Sequence, residues 1–79
     1  MRYHFHPHAM RRMSTRMAPV GVTKADVFAV LLNPTKRAPG DFGRTNVWGK
    51  AANGVRIRVT YHPETGEIRT VAIADRRVS

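Results

Sequence analysis

The sequence feature that most constrains the fold is a strict alternation of apolar and polar residues across residues 55–62. Its apolar members are Val55, Ile57, Val59 and Tyr61. A period of two residues predicts a β-strand with one buried face and one solvent face. Asn53-Gly54 comes just before it, and this dipeptide strongly favours a β-hairpin. We therefore expect an antiparallel sheet whose polar face carries Arg56 and Arg58.

Three other segments favour extended structure. Residues 46–50 precede the hairpin, and residues 68–75 follow a turn at residues 63–66. Together with the alternating strand they predict an antiparallel meander, with Thr70 on the polar face. Residues 2–6 predict a short edge strand at the start of the chain.

Residues 35–45 contain strong breakers of regular structure and predict a basic loop. Pro39-Gly40 favours a turn within it. Long loops on small domains often carry binding residues. We therefore expect the stretch from Lys36 to Arg44 to form one wall of a substrate cleft.

Two helices are predicted ahead of the sheet. The first covers residues 7–17, with Pro7 at the first helical position, where its missing N–H costs nothing. The second begins at Thr23, which forms a capping-box pattern with Asp26, and it ends at Asn33. The expected fold is α+β, with the two N-terminal helices packed on a three- to four-stranded antiparallel meander.

Length and composition narrow the class of protein. The 79 residues correspond to a single small domain, and the absence of cysteine excludes disulfides and thiolate metal ligands. No apolar run approaches a membrane span and no signal peptide is recognisable, so we expect a cytoplasmic protein. No motif of a kinase, glycosidase or serine hydrolase is present, and no cofactor is expected.

Net charge indicates the partner. The chain has 14 Lys and Arg residues against 5 Asp and Glu residues, for a formal charge of +9. So basic a small domain favours nucleic-acid binding, and the excess of arginine favours bidentate contacts to phosphate. An acidic protein that masks the same surface is the second partner class. A membrane surface is disfavoured, because the basic residues do not lie on one long amphipathic helix.

The first helix carries a candidate catalytic face. At about 100° per residue, His8, Arg12 and Arg16 fall on one side of it. The opposite side carries an apolar stripe formed by Met10, Met13 and Met17. Metal-independent RNA cleavage requires a proton shuttle next to groups that hold phosphate, which is what this face offers. The alternative is a solvated basic face on which His8 merely caps its own helix.

The polar sheet face is a candidate binding surface. Arg56 and Arg58 would lie beside Thr70 of the neighbouring strand, although antiparallel sheets often have an ordinary polar solvent face. Trp48 is a candidate for base stacking. Tyr61 shares the register of the core residues, so we expect it to pack in the core.

The alternating histidines His4, His6 and His8 suggest a zinc site. Alternate residues share a face only in an extended segment, and Pro7 begins a helix there. Neither cysteine nor enough carboxylates lie nearby to complete a coordination shell. No metal site is therefore expected.

Several short motifs resemble one known family. They are His8-Ala9, Arg12-Met13, Arg16, the helix end at residues 30–34 and the strand at residues 68–71. The family consists of small bacterial and phage proteins described only as a domain of unknown function. It is grouped with the barnase–EndoU–colicin–RelE ribonuclease toxins, and the resemblance covers about residues 8–73.

The resemblance implies a RelE- or barnase-like α+β fold and a metal-independent endoribonuclease. Members are often the toxin of a toxin–antitoxin pair or the toxic tip of a larger secreted protein. The family's site residues match His8, Arg12, Arg16 and Thr70. Residues 17–21 depart from the family, in which the next helix follows the second arginine almost at once.

The leading hypothesis is a toxin that cleaves RNA without a metal. His8 would transfer protons, and Thr70 would donate a hydrogen bond to the scissile phosphate. Arg12, together with Arg56 or Arg58, would hold that phosphate. Further substrate contacts are expected from Arg16, Arg44, Arg56, Arg58 and Trp48. An acidic antitoxin or immunity protein is the expected protein partner. The alternative is a non-catalytic protein of the same fold that binds nucleic acid or a host factor.

Overall fold

The computed structural model describes residues 2–74 and shows an α+β fold with two helices and one five-stranded mixed sheet. The helices are α1 (Pro7–Arg12) and α2 (Lys24–Leu32). The strands are β1 (His4–Phe5), β2 (Lys36–Pro39), β3 (Thr45–Lys50), β4 (Arg56–Tyr61) and β5 (Glu67–Ile73). Their order in the sheet is β1-β5-β4-β3-β2. No helix within residues 2–74 is long and apolar enough to cross a membrane.

The sheet combines an antiparallel meander with one parallel strand. The four strands from β2 to β5 pair antiparallel in chain order, which includes the predicted pairing of β3, β4 and β5. β1 pairs parallel with β5, so the sheet is mixed and has five strands instead of the expected three to four. The strand predicted over residues 68–75 is β5, which begins one residue earlier. Residue 75 lies outside the described residues.

The loop expected over residues 35–45 is wrong in its first half, because β2 occupies Lys36–Pro39. This strand lies at the edge of the sheet and pairs with β3. Proline is tolerated on an edge strand, where one side of the backbone has no neighbouring strand to bond. The breakers therefore confine the irregular connection to residues 40–44.

The first helical segment changes its hydrogen-bonding pattern part-way. α1 continues into a π turn at Met13–Met17 and a 3-10 turn at Ala18–Val20. The hydroxyl of Thr15 donates to the carbonyl of Arg11 at 2.9 Å, a bond that competes with the α-helical ladder. The α-helix predicted over residues 7–17 is therefore regular only within α1.

Both helices cover the same face of the sheet. Met13 and Met17 are buried there as predicted, but Met10 is 39% exposed. Ala9 is fully buried instead, because its small side chain lets α1 pack closely against β5. From β4 the core receives Ile57, Val59 and Tyr61, which confirms the alternation read from the sequence.

A β-bulge in β5 decides which of its side chains face the helices. Two consecutive residues of β4 pair with Ile68 and Thr70, so Arg69 is an extra residue between them. This extra residue keeps both Ile68 and Val71 in the core. It also places Thr70 on the face away from the helices, as the sequence predicts.

Asp26 ties the start of α2 to the turn between β3 and β4. The predicted capping box is present: Thr23 Oγ1 accepts from the amide of Asp26 at 3.2 Å, and the Asp26 carboxylate accepts from the amide of Thr23 at 2.9 Å. Its other oxygen accepts from the amide of Ala52 at 3.0 Å, a link that the sequence pattern does not indicate. These bonds, first of all the one from the Thr23 backbone, hold the pKa of Asp26 below its ordinary value.

Asp26→Asn is expected to lower the free energy of unfolding by about 2 kcal/mol. The asparagine side chain would direct its NH2 group at one of the backbone amides that now donate to the carboxylate, and that amide would lose its acceptor. A carboxylate with a lowered pKa stabilises the folded state above its unfolded pKa, and that stabilisation disappears as the pH falls through the folded value. Urea unfolding at about pH 7 and about pH 3 should therefore show a smaller pH dependence in the variant. Glu64→Gln, at an exposed turn, should behave like the parent protein. Equal losses in both variants would contradict this role of Asp26.

Candidate nucleic-acid interface

The sheet face away from the helices is basic and polar; we call it the open face. The cross-strand register brings its side chains together in rows: Trp48 pairs with Arg58, and Lys50 pairs with Arg56. These residues alternate with the buried core residues of the same strands. Arg56 and Arg58 therefore lie where the alternation predicts them.

Trp48 lies between two cationic side chains. Lys36 of β2 places its Nζ 4.9 Å from the centre of the Trp48 ring, and Arg58 is the cross-strand partner on the other side. The indole is only partly buried. An aromatic ring flanked by cations offers one surface for a base and two charges for the phosphates beside it.

Two arginines of this region have an unsatisfied donor. The Nε atoms of Arg58 and Arg44 are buried, and neither has a hydrogen-bond partner among residues 2–74. A buried donor without an acceptor costs free energy. The guanidinium fork matches two oxygens of a phosphate, so a phosphate that reached either side chain would supply the missing acceptor.

Arg44 belongs to the same surface although it lies in the connection before β3. It precedes Asn46 by two residues, so alternation directs it to the face on which Asn46 meets Thr60. Thr60 Oγ1 donates to Asn46 Oδ1 across the strands. Thr60 also pairs with Thr70, so polar groups continue across the sheet as far as β5.

The open face has few acidic groups to neutralise it. Arg69 forms a salt bridge with Glu67 at 3.5 Å, and no other is found within the described part of the chain. Both partners lie on β5, the strand that contains the β-bulge. The cations around Trp48 are therefore available to an anionic partner.

α1 runs along the edge of β5 beyond the end of β1. The amide of His6 donates to the carbonyl of Ile68 at 2.9 Å. Six residues later, Nε of Arg12 donates to the carbonyl of Val71, also at 2.9 Å. These two hydrogen bonds fix residues 6–12 against the strand edge.

Two of the three predicted catalytic residues, Arg12 and Thr70, lie close in the fold at this edge, and His8 lies on the same helix as Arg12. His8 lies between the two anchors and is exposed on the first turn of α1. Thr70 directs its side chain to the open face. It directly precedes the core residue Val71, whose carbonyl accepts the hydrogen bond from Arg12. Arg12 thus has a structural contact that the sequence does not predict, and its two terminal nitrogens are the groups left for a phosphate.

Arg16 stands apart from this arrangement. It is exposed and lies in the π turn, where the α-helical spacing that would align it with Arg12 no longer applies. Its expected contact with substrate therefore has no support from α-helical geometry.

The histidines near the N-terminus have separate roles. His6 is the N-cap of α1, because its Nδ1 accepts from the amide of His8 at 3.0 Å. The capping role considered for His8 therefore belongs to His6. Residues 2–74 contain no group of three or more His, Asp or Glu side chains arranged to hold a metal ion.

One contact of the open face is not indicated by the sequence patterns, that between Lys36 and Trp48. Lys36 contacts Trp48 because β2 is a strand that pairs with β3. The breakers at Pro39 and Gly40 predicted a loop there instead. His62 directly follows β4 and is partly exposed; its amide donates to the carbonyl of Glu67 at 2.8 Å. It continues the polar series of β4, so its place beside this surface follows from the predicted alternation over residues 55–62.

Comparison of the chain with protein-family models, with curated proteins and with solved structures finds no match. The expected membership in a ribonuclease-toxin group stays a prediction. Function is therefore inferred from the residues and their geometry.

Proposed function

We propose that this protein binds RNA across the open face and cleaves it, without a metal ion, at the edge of β5. The observation that carries the proposal is the arrangement around Trp48, where an indole lies between Lys36 and Arg58. The formal charge of +9 and the unpartnered Nε atom of Arg58 support an anionic ligand. A RelE- or barnase-like relationship for this sheet is part of the same proposal.

The cleavage step uses the groups at the β5 edge. His8 takes the proton from a ribose 2′-hydroxyl as that oxygen attacks the adjacent phosphorus, or returns a proton to the leaving 5′-oxygen. The terminal nitrogens of Arg12 and the hydroxyl of Thr70 stabilise the charge that develops on the phosphate. The products are a 2′,3′-cyclic phosphate and a free 5′-hydroxyl.

The binding part of the proposal predicts the effect of removing single arginines. Arg58→Ala, Arg56→Ala and Arg44→Ala should each weaken RNA binding and reduce the slope of log affinity against log salt by about 0.7, the value for one phosphate contact to a single strand. Fluorescence anisotropy with 2′-O-methyl RNA measures this without cleavage, because the modified strand lacks the nucleophile.

Arg37→Ala is the matched control for these variants. Arg37 also lies on the sheet, but it pairs with the buried Val47 and so belongs to the face that the helices cover. The Arg37→Ala substitution removes the same charge as the other three and should leave the slope of log affinity against log salt unchanged. A slope that falls equally in all four variants, or in none, would place RNA elsewhere on the molecule.

The binding surface also accounts for the expected protein partner. A small acidic antitoxin or immunity protein would complement the same cations and compete with RNA for them. In this proposal the protein acts as a toxin in the cytoplasm. The non-catalytic alternative shares the binding surface but makes no use of His8, so cleavage assays separate the two.

A further inference from the structure

The connection between β2 and β3 holds a bulky residue in an unfavourable backbone conformation. Phe42 has φ 57° and Gly43 has φ 75°, and the amide of Arg44 donates to the carbonyl of Asp41 at 3.1 Å. Positive φ at both central positions is the pattern of a type I′ turn, which favours Asn-Gly. A phenylalanine at the first central position is strained, because its Cβ crowds the backbone in the left-handed region.

The ring of Phe42 gains little from the rest of the fold. The residue is 84% exposed, so it contributes almost nothing to the core. Leu32 is 77% exposed but stands at the end of α2 in ordinary helical backbone, which carries no such strain. Phe42 therefore carries backbone strain that no burial of its ring offsets, and strained residues of this kind concentrate at functional sites.

Arg44 connects this ring to the open face. Its guanidinium carbon lies 5.5 Å from the centre of the Phe42 ring, and its buried Nε has no partner among residues 2–74. The turn thus presents a flat aromatic surface and, next to it, an unsatisfied donor suited to phosphate. A nucleotide offers the matching pair of groups, a base face for the ring and a phosphate for the guanidinium.

We propose that Phe42 stacks an unpaired nucleobase whose phosphate is held by Arg44, so that the substrate is single-stranded RNA at this end of the open face. The inference rests on the proposed function and adds the substrate class to it. Bases in a duplex are stacked on one another and their faces are covered, whereas an unpaired base has a free face for the ring. Trp48 and Phe42 then mark two base positions along one strand.

The test compares Phe42→Asn with Phe42→Trp. Asparagine suits the turn, so Phe42→Asn should raise the thermal unfolding midpoint while it weakens binding of single-stranded 2′-O-methyl RNA by about tenfold. Phe42→Trp keeps a stacking surface and should bind as tightly as the parent. Binding of the same RNA annealed to its complement should be weaker than that of the single strand and equal in all three proteins.

The outcomes separate this inference from the proposed function. If the parent protein binds RNA with a steep salt dependence but Phe42→Asn binds the single strand equally well, the stacking site is refuted and the RNA-binding function stands. If Phe42→Asn weakens duplex and single strand alike, the preference for unpaired bases is refuted. If the parent protein binds no RNA at low salt, the function and the inference both fail.

Discussion

Replacing His8 by alanine is expected to lower the rate of RNA cleavage by about 10²- to 10⁴-fold, the usual contribution of a general acid–base group. His8 is exposed and its amide, not its ring, donates to the N-cap His6, so the variant should unfold at the parent temperature. The measurement is the first-order cleavage of an end-labelled RNA in excess EDTA, with the 2′,3′-cyclic phosphate product identified. The parent activity should survive the chelator.

Two other histidines serve as controls for this prediction. His4→Ala removes an exposed imidazole from β1, outside α1, and should leave the rate unchanged. His62→Ala removes the imidazole next to the open face and should affect binding more than the rate of the bound complex. Full activity in His8→Ala together with a collapse in His62→Ala would transfer the acid–base role to His62. Cleavage absent from the parent protein would leave the non-catalytic alternative.

Gly66→Ala is expected to lower the free energy of unfolding by about 3–4 kcal/mol. Gly66 has φ 81°, a region that costs an alanine about 1–2 kcal/mol. A Cβ there would also collide with the carbonyl oxygen of Arg2, so the backbone just before β1 must move. The carbonyl of Gly66 accepts from the amide of His4 at 3.0 Å, and that bond helps to join β1 to β5. Chemical denaturation measures the loss.

Gly54→Ala separates the two contributions. Gly54 has φ 92°, but a Cβ there meets nothing within 4 Å, so this variant carries the conformational cost without the collision. It should lose about 1–2 kcal/mol. The difference between the two variants measures how tightly the N-terminal segment packs on β5. Equal losses would show that β1 yields easily. The edge would then position His8 only loosely.

The elements with a strong local pattern were predictable from the sequence. The alternation in residues 55–62 identified both β4 and the open face, since side chains on a strand alternate whatever lies beside it. The capping box at Thr23 was equally clear, because its partners are three residues apart. Local backbone geometry alone decides features of this kind.

Other features depended on partners distant in the sequence. β1 forms because β5 offers an edge, and β2 forms because β3 does, so neither short segment needs a strong pattern of its own. In the π turn after α1, the hydroxyl of Thr15 competes with backbone amides for the carbonyl of Arg11. The periodicity of apolar residues assumes a regular α-helix and does not indicate this change.

The candidate site divides in the same way. The sequence predicted the positive charge, the spacing of His8 and Arg12, and the alternation of Arg56 and Arg58 with core residues. Each of these depends only on residue type and local geometry. Only the tertiary structure placed Lys36 over Trp48, bound Arg12 to the edge of β5 and exposed Phe42 on a strained turn. Strand register and edge hydrogen bonds decided these contacts, and both arise when segments far apart in sequence pack together.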